Sequence, residues 1–187
     1  MATEIEKKYR VTAAQIAALR ARLALVGAQA CGTEFEVNTL YAGPGFDPRV
    51  CVLRLRRVGA RAVLTYKERL TSDAPIKQQR EDETEVADAD ALAAILAALG
   101  YAPALVYEKR RETWLLDGVE VVLDELPFGW FVEIEGAEAA INAAERKLEL
   151  IATEVEHATY PELTARFGVH EGALVAARFE PAVQQTE

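Results

Sequence analysis

The sequence predicts an α+β protein whose strands close into an eight-stranded antiparallel β-barrel with peripheral α-helices. Strand-like runs outnumber helical stretches, and most are joined by links too short for the crossovers that parallel neighbours need. Closing such a sheet removes its exposed edges, which would otherwise pair with other chains. The predicted strands span residues 3–10, 34–42, 50–58, 61–69, 77–86, 105–116, 119–126 and 130–135.

Two tight turns support the antiparallel order. Asp117-Gly118 separates the sixth and seventh runs by two residues, which strongly favours a hairpin. Gly59-Ala60 has the same place between the third and fourth runs. The links after the first and fifth runs are longer, and each contains a predicted helix.

Ala- and Leu-rich stretches with start and stop residues predict the helices. Thr12 and Gln15 have the spacing of a capping box, and Gly27 and Gly100 follow apolar stretches as stops. Pro161 suits the first turn of a short helix. The predicted helices span about 12–27, 88–100, 137–150, 161–168 and 171–178.

Length and composition exclude several classes of protein. The chain has 187 residues, which is typical of a single domain, here residues 1–180, and we expect the tail 181–187 to be disordered. Its net charge of −9 argues against a surface that coats a nucleic-acid polymer or an anionic membrane. The sequence shows neither a transmembrane run nor a signal peptide, and its two cysteines are too few for a disulfide framework. We therefore expect a cytoplasmic protein, either a monomer or a homodimer.

Like charges recur at every second position of the predicted strands and therefore share a face. A solvated outer face is the simplest interpretation of any one strand. Same-sign pairs on several strands instead favour a barrel with a charged lumen, because like charges repel unless a shared ligand neutralises them. The like charges are Glu4 and Glu6; Arg54 and Arg56; Glu81, Glu83 and Glu85; Lys109 and Arg111; and Glu133 and Glu135, and Lys8 shares the face of Glu4 and Glu6.

The residue types indicate the chemistry of such a lumen. Arginine binds phosphate oxygens in a bidentate manner and lysine contributes a point charge, so the basic pairs suit a polyanion. Carboxylate oxygens suit Mg²⁺ or Mn²⁺, which can bridge to phosphate. No His, Cys or Ser constellation in the sequence competes for this role.

Several segments resemble the CYTH domain family, also called triphosphate tunnel metalloenzymes. Glu4-Ile5-Glu6-Lys7-Lys8 matches the Glu-x-Glu-x-Lys pattern that opens these domains. The order and spacing of the other segments agree over about residues 3–168. These segments are Leu53-Arg54-Leu55-Arg56, Thr65-Tyr66-Lys67, 80–85, Tyr107-Glu108-Lys109-Arg110-Arg111, Leu123-Asp124, 131–136 and Thr159-Tyr160-Pro161-Glu162-Leu163.

The resemblance implies a tunnel that binds a triphosphate-containing small molecule together with Mg²⁺ or Mn²⁺. It implies catalytic roles for Lys8, Lys67, Glu83 and Glu85. The implied triphosphate-binding residues are Lys8, Arg54, Arg56, Lys67, Lys109 and Arg111. The implied metal-binding set is Glu4, Glu6, Glu83, Glu85, Asp124, Glu133 and Glu135.

One segment departs from the family pattern. The second strand of the family often contains Asn-Thr-Tyr-Phe-Asp, whereas residues 38–42 here read Asn-Thr-Leu-Tyr-Ala. The acidic residue is therefore missing, and the binding of the substrate's organic end is less defined.

The family includes thiamine triphosphatases, tripolyphosphatases and class IV adenylate cyclases, and the nucleophile separates them. Attack by water on the terminal phosphorus gives hydrolysis, which we expect here; attack by a ribose hydroxyl on the α-phosphorus of ATP gives cyclic AMP. A module that binds polyphosphate or a nucleotide without turnover is a third alternative. Trp114 or Trp130 could supply an aromatic shelf for thiamine, although core or hairpin packing is the favoured interpretation of both.

Overall fold

The computed structural model describes residues 5–70 and 78–180, which form ten strands and four helices. Glu4 and the predicted disordered tail lie outside these residues. The strands are β1 (Glu6–Val11), β2 (Gln29–Ala42), β3 (Cys51–Val58), β4 (Arg61–Leu70), β5 (Gln78–Glu85), β6 (Ala102–Leu116), β7 (Val119–Leu126), β8 (Gly129–Glu135), β9 (Val169–Glu171) and β10 (Leu174–Ala177). The helices are α1 (Ala13–Leu25), α2 (Ala89–Ala98), α3 (Glu138–Lys147) and α4 (Tyr160–Phe167).

One sheet contains all the strands, and the α+β prediction is confirmed. Its main path runs β1-β8-β7-β6-β2-β3-β4-β5, with every neighbouring pair antiparallel. The sheet is not closed by hydrogen bonds, since no pairing of the described residues joins β1 to β5. The sheet nevertheless curls, since Glu6 of β1 lies close enough to Lys67 of β4 for that charge to act on its carboxyl group. The predicted barrel is therefore a curled sheet that hydrogen bonds between the described residues do not close.

The predicted turns and caps are present. Asp117 and Gly118 have φ angles of 48° and 83°, as a two-residue hairpin of this kind requires. Thr12 and Gln15 form the predicted reciprocal hydrogen bonds of a capping box at α1. A second capping box, which was not predicted, joins Thr159 and Glu162 at α4.

The predicted helix over 171–178 is wrong. Residues there form the hairpin β9–β10, which turns at Gly172 with φ of 67°. β10 adds in parallel to β6 through Val175, Ala176 and Ala177. The Ala-rich sequence favours a helix locally, but the unpaired edge of β6 offers hydrogen bonds and an apolar surface that a short helix could not match.

The helices cover different faces of the sheet. α1 and α3 pack on the outer face of β1, β7 and β8 through residues such as Leu23 and Ile141, and α2 packs Leu96 against Leu55 of β3. α4 instead packs Tyr160 and Leu163 against Phe131 of β8, a residue of the inner face. The described part of the chain contains no helix long and apolar enough to cross a membrane.

Candidate triphosphate and metal site

The strand registers place the predicted charges on one inner surface, here called the charged face. Direct cross-strand partners on it include Lys8 with Glu133, Arg111 with Asp124, and Thr65 with Glu83. Because strand residues alternate between faces, the apolar residues between them pack outward under the helices. The charged face consists of Glu6, Lys8, Glu36, Arg54, Arg56, Lys67, Glu81, Glu83, Glu85, Lys109, Arg111, Asp124, Glu133 and Glu135.

Arg111 is the centre of a buried ion network. Its Nε and Nη2 donate to Asp124 Oδ1 and Oδ2 at 2.9 and 2.7 Å, the bidentate arrangement that makes strong ion pairs. Nη2 also donates to Glu133 Oε2 at 2.6 Å. Asp124 is fully buried. Burial raises its pKa, but Lys109, Arg111 and Tyr160 together outweigh burial and hold the pKa below its ordinary value.

Lys109 lies between two buried carboxylates. Its Nζ is 3.4 Å from Glu36 Oε2 and 3.4 Å from Asp124 Oδ2, and the side chain is 2% exposed. Burial lowers the pKa of Lys109, and the neighbouring Arg111 adds to this, whereas the two carboxylates oppose it. The ammonium is thus held by attraction from two sides at distances longer than the 2.7–2.9 Å typical of close charged hydrogen bonds.

The carboxylate of Glu36 compensates the charge of several basic side chains, and Glu36 lies outside the sequence motifs named above. Its carboxylate lies near Lys109 and 3.5 Å from Arg56 Nε, and Asn38 Nδ2 donates to it at 3.2 Å. Burial raises the pKa of Glu36, but Lys109 and Arg56 outweigh burial and lower it. Glu36 and Asn38 are two residues apart on β2 and therefore share a face. The period-two pattern that identifies the charged residues of the other strands could also have identified these two.

The first turn of α4 closes one end of the charged face. Tyr160 is 6% exposed, and its hydroxyl donates to Asp124 Oδ2 at 2.8 Å. Lys8 Nζ lies 4.2 Å from the centroid of the Tyr160 ring, 3.2 Å from Glu133 Oε1 and 3.3 Å from the carbonyl oxygen of Ala158, to which it donates. Burial, followed by the charge of Asp124, raises the pKa of Tyr160 well above its ordinary value. Tyr160 belongs to a motif that is visible in the sequence, but its place beside the two lysines depends on the tertiary structure.

A second group of contacts lies on β3, β4 and β5. Arg54 Nη2 donates to Thr65 Oγ1 at 3.2 Å, and that hydroxyl donates to Glu83 Oε1 at 2.7 Å. Burial raises the pKa of Glu83, but the hydrogen bond from Thr65 and the charge of Arg54 outweigh burial and lower it. The Nε of Arg54 is buried without an acceptor among the described residues.

The remaining members of this group have separate partners. Lys67 Nζ pairs with Glu81 Oε2 at 2.8 Å, in agreement with their direct opposition across β4 and β5. Arg56 Nε donates to Asn38 Oδ1 at 3.2 Å. Glu85 is opposite Val63, so no cation stands directly across the strand pair from it.

Glu6 lies at the start of β1, near the carboxylate of Glu133 and three basic side chains. Although its side chain is exposed, desolvation by the surrounding protein raises the pKa of Glu6, and the charge of Glu133 adds to this effect. Lys8, Arg111 and Lys67 act in the opposite direction without reversing the shift. Glu135 lies directly across from Glu6 in the register of β1 and β8.

Replacing Glu6 by Gln is expected to raise the thermal stability of the metal-free protein near neutral pH. The pKa of Glu6 lies above its ordinary value of 4.5, so the folded state holds this proton more tightly than the unfolded state. The free energy of unfolding of the wild type therefore falls as the pH rises above 4.5, and Gln, which cannot ionise, removes this decrease. Thermal unfolding in a chelator at about pH 4 and about pH 7.5 tests this. The variant should gain only at the higher pH; an equal or lower Tm there would contradict the assignment.

The predicted carboxylates do not form a ready-made metal cage. Among residues 5–70 and 78–180, no three His, Cys, Asp or Glu side chains are grouped so as to hold a metal ion. Glu6 and Glu133 are mutually repulsive neighbours, Glu83 and Glu85 lie on β5, and Asp124 is enclosed by cations. Mg²⁺ commonly uses one or two carboxylates together with substrate phosphates and water, so a pair such as Glu6 and Glu133 fits its requirements.

The two tryptophans face away from the site. Trp114 and Trp130 pack against the outer core under α1 and α3, and Trp114 Nε1 donates to Glu112 Oε1 at 2.9 Å. The aromatic-shelf interpretation is therefore not supported for either residue. The aromatic side chains on the charged face are Tyr107, Phe131 and Tyr160.

Comparisons with known proteins agree with this architecture. The structure resembles PH1012 from Pyrococcus horikoshii OT3, with a TM-score of 0.72 and 28% identity over 86% of this chain and 98% of the other. It also resembles a candidate adenylate cyclase from Vibrio parahaemolyticus, with a TM-score of 0.66 and 20% identity over 87% and 98%. No curated protein matches the chain.

A third similar structure is HpAC1 from Hippeastrum, described as a candidate adenylyl cyclase with a dominant triphosphatase activity. Its TM-score is 0.65, with 18% identity over 84% of this chain and 92% of the other. At such identities the Vibrio and Hippeastrum proteins show the shared fold. The family model of the CYTH domain matches residues 2–167, nearly the whole chain. The chain therefore belongs to the CYTH domain family.

Proposed function

We propose that this protein hydrolyses a triphosphate, either inorganic tripolyphosphate or an organic triphosphate, with the help of a divalent metal ion. The observation that carries the proposal is the convergence of basic side chains from β1, β3, β4 and β6 on one curled face. Their carboxylate partners keep them charged and ordered inside the protein. A linear polyanion of several phosphates matches such a row of cations.

The orphaned nitrogen of Arg54 supports anion binding at this face. A buried donor without an acceptor costs free energy, and a phosphate oxygen would satisfy it. The proposed triphosphate ligands are Lys8, Arg54, Arg56, Lys67, Lys109 and Arg111. Arg111 is already engaged by two carboxylates, so its main effect is to add positive potential and fix Asp124 and Glu133.

Glu6 and Glu133 are the proposed ligands of a Mg²⁺ or Mn²⁺ ion, together with Glu4 and Glu135 from the predicted set. Burial raises the pKa of Glu6 and the charge of Glu133 adds to this, and a divalent cation shared by the two carboxylates would relieve their repulsion. When bound, such an ion neutralises phosphate charge and acts as a Lewis acid toward phosphoryl oxygens.

Hydrolysis requires a water molecule, a proton acceptor and charge stabilisation. Water attacks the terminal phosphorus, its oxygen forms the new P–O bond, and the bond to the bridging oxygen breaks; tripolyphosphate yields orthophosphate and diphosphate. Lys8 and Lys67 stabilise the charge that develops. Thr65 and Arg54 hold the pKa of Glu83 down, which makes Glu83 a poor proton acceptor. We therefore assign this role to Glu85, which lies opposite Val63 and has no cation directly across the strand pair.

The comparisons favour hydrolysis over cyclisation only by analogy. HpAC1 shares this fold and is described as having a dominant triphosphatase activity, although it is named as a cyclase. Hydrolysis also needs no adenine pocket, and the end of the charged face near α4 is filled by Tyr160 and Phe131.

Product analysis by phosphorus NMR tests the proposal. We expect orthophosphate from tripolyphosphate or thiamine triphosphate in the presence of Mg²⁺ or Mn²⁺, and no turnover in a chelator. Cyclic AMP and diphosphate from ATP would instead identify an adenylate cyclase. Binding of tripolyphosphate without any product would identify a binding module.

A further inference from the structure

Asp124 is shared by three donors that compete for its two oxygens. Oδ1 accepts from Arg111 Nε at 2.9 Å, and Oδ2 accepts from Arg111 Nη2 at 2.7 Å and from the Tyr160 hydroxyl at 2.8 Å. Lys109 Nζ approaches the same Oδ2 but remains at 3.4 Å. Oδ2 thus has two close donors, Arg111 and Tyr160, and Lys109 stands farther from it than either.

The ring of Tyr160 holds the same ammonium from another side. Lys109 Nζ lies 5.2 Å from the ring centroid, within the range of a cation–π interaction. Its other carboxylate neighbour, Glu36, is also 3.4 Å away. Lys109 is therefore buried near both carboxylates without a close bond to either.

We infer that Tyr160 is a positioning residue that keeps Lys109 available to the bound triphosphate by occupying Oδ2 of Asp124. This inference rests on the proposed function, because it assigns a role in binding its substrate. Without the hydroxyl, Lys109 Nζ is expected to move closer to Asp124 Oδ2, where the carboxylate would compensate its charge. The side chain would then offer less charge to a phosphate.

Tyr160→Phe tests the inference, since it removes the hydroxyl and retains the ring. We expect tripolyphosphate to bind about 5- to 10-fold more weakly, the effect of one hydrogen-bonding interaction. Titration calorimetry with tripolyphosphate in a chelator measures binding without turnover. With Mg²⁺, KM should rise while kcat changes little, because the loss concerns binding and not the reacting atoms.

A double-mutant cycle separates this role from a structural one. In a Lys109→Met background, Tyr160→Phe should no longer weaken tripolyphosphate binding. Tyr41→Phe is the matched control, because Tyr41 is a buried tyrosine packed on the opposite side of the sheet. It should leave binding unchanged.

The outcomes distinguish the two proposals. If the wild type binds neither tripolyphosphate nor thiamine triphosphate, whether in a chelator or with Mg²⁺, the proposed function fails and the inference falls with it. If the wild type binds but Tyr160→Phe binds equally well, the inference alone is overturned. An equal loss in the Lys109→Met background would also overturn it, because Tyr160 would then act through something other than Lys109.

Discussion

Asp124→Ala is expected to lower the free energy of unfolding by about 3–5 kcal/mol, the usual cost of removing one partner from a buried ion network. The substitution leaves Arg111, Lys109 and the Tyr160 hydroxyl without their shared acceptor in a fully buried place. Urea unfolding of both proteins at neutral pH measures the difference.

Glu125→Ala is the matched control on the same strand. Glu125 faces outward and pairs with Arg110, whose side chain is half exposed, so its loss should cost less than about 1 kcal/mol. Similar losses for the two variants would contradict the buried network. The gap between Asp124→Ala and the wild type should also narrow on acidification. The pKa of Asp124 lies below its ordinary value in the folded state, so its stabilising contribution is lost as the pH falls.

Arg54→Gln is expected to lower kcat/KM for the preferred triphosphate by about 100-fold or more, as the loss of a preorganised donor at a charged transition state typically does. Arg54 presents a buried Nε that lacks an acceptor in the described structure. The substitution should cost little stability, because the carboxylate that it leaves behind, Glu83, is about half exposed and keeps its bond from Thr65. Steady-state phosphate release, combined with a thermal melt, measures both quantities.

Arg57→Gln controls for the loss of a positive charge on the same strand. Arg57 lies on the other side of β3 and donates to Asp90 Oδ1 at 2.8 Å and to the carbonyl oxygen of Ala89 at 3.2 Å. Its removal should leave kcat/KM nearly unchanged. An equal decrease for both variants would show that net charge, and not the position of Arg54, determines the activity.

Short-range patterns were sufficient for most of the elements. The Asp117-Gly118 turn and the capping boxes at Thr12 and Thr159 depend on residues close together in sequence, so their backbone geometry follows from local chemistry. The helix prediction for residues 171–178 failed for the opposite reason, since the pairing of β10 with β6, which is distant in sequence, determines the conformation of this segment.

The same distinction between local and long-range causes applies to the candidate site. The sequence by itself determined that Lys109 and Arg111 share one face, because side chains on a strand alternate with a period of two. It could not indicate that Glu36 lies beside Lys109, since residues 43–101 lie between β2 and β6 and the register of these strands is a tertiary property.

The tertiary structure alone decided which charges meet. β1 pairs with β8, which is the last of the eight main-path strands in the sequence. This pairing places Lys8 beside Glu133. α4 then packs on the charged face and not on the outer face, which brings Tyr160 to Asp124. The alternation of residues fixes which face a charge occupies, whereas long-range pairing and helix packing fix its neighbours and therefore its pKa, its burial and its chemistry.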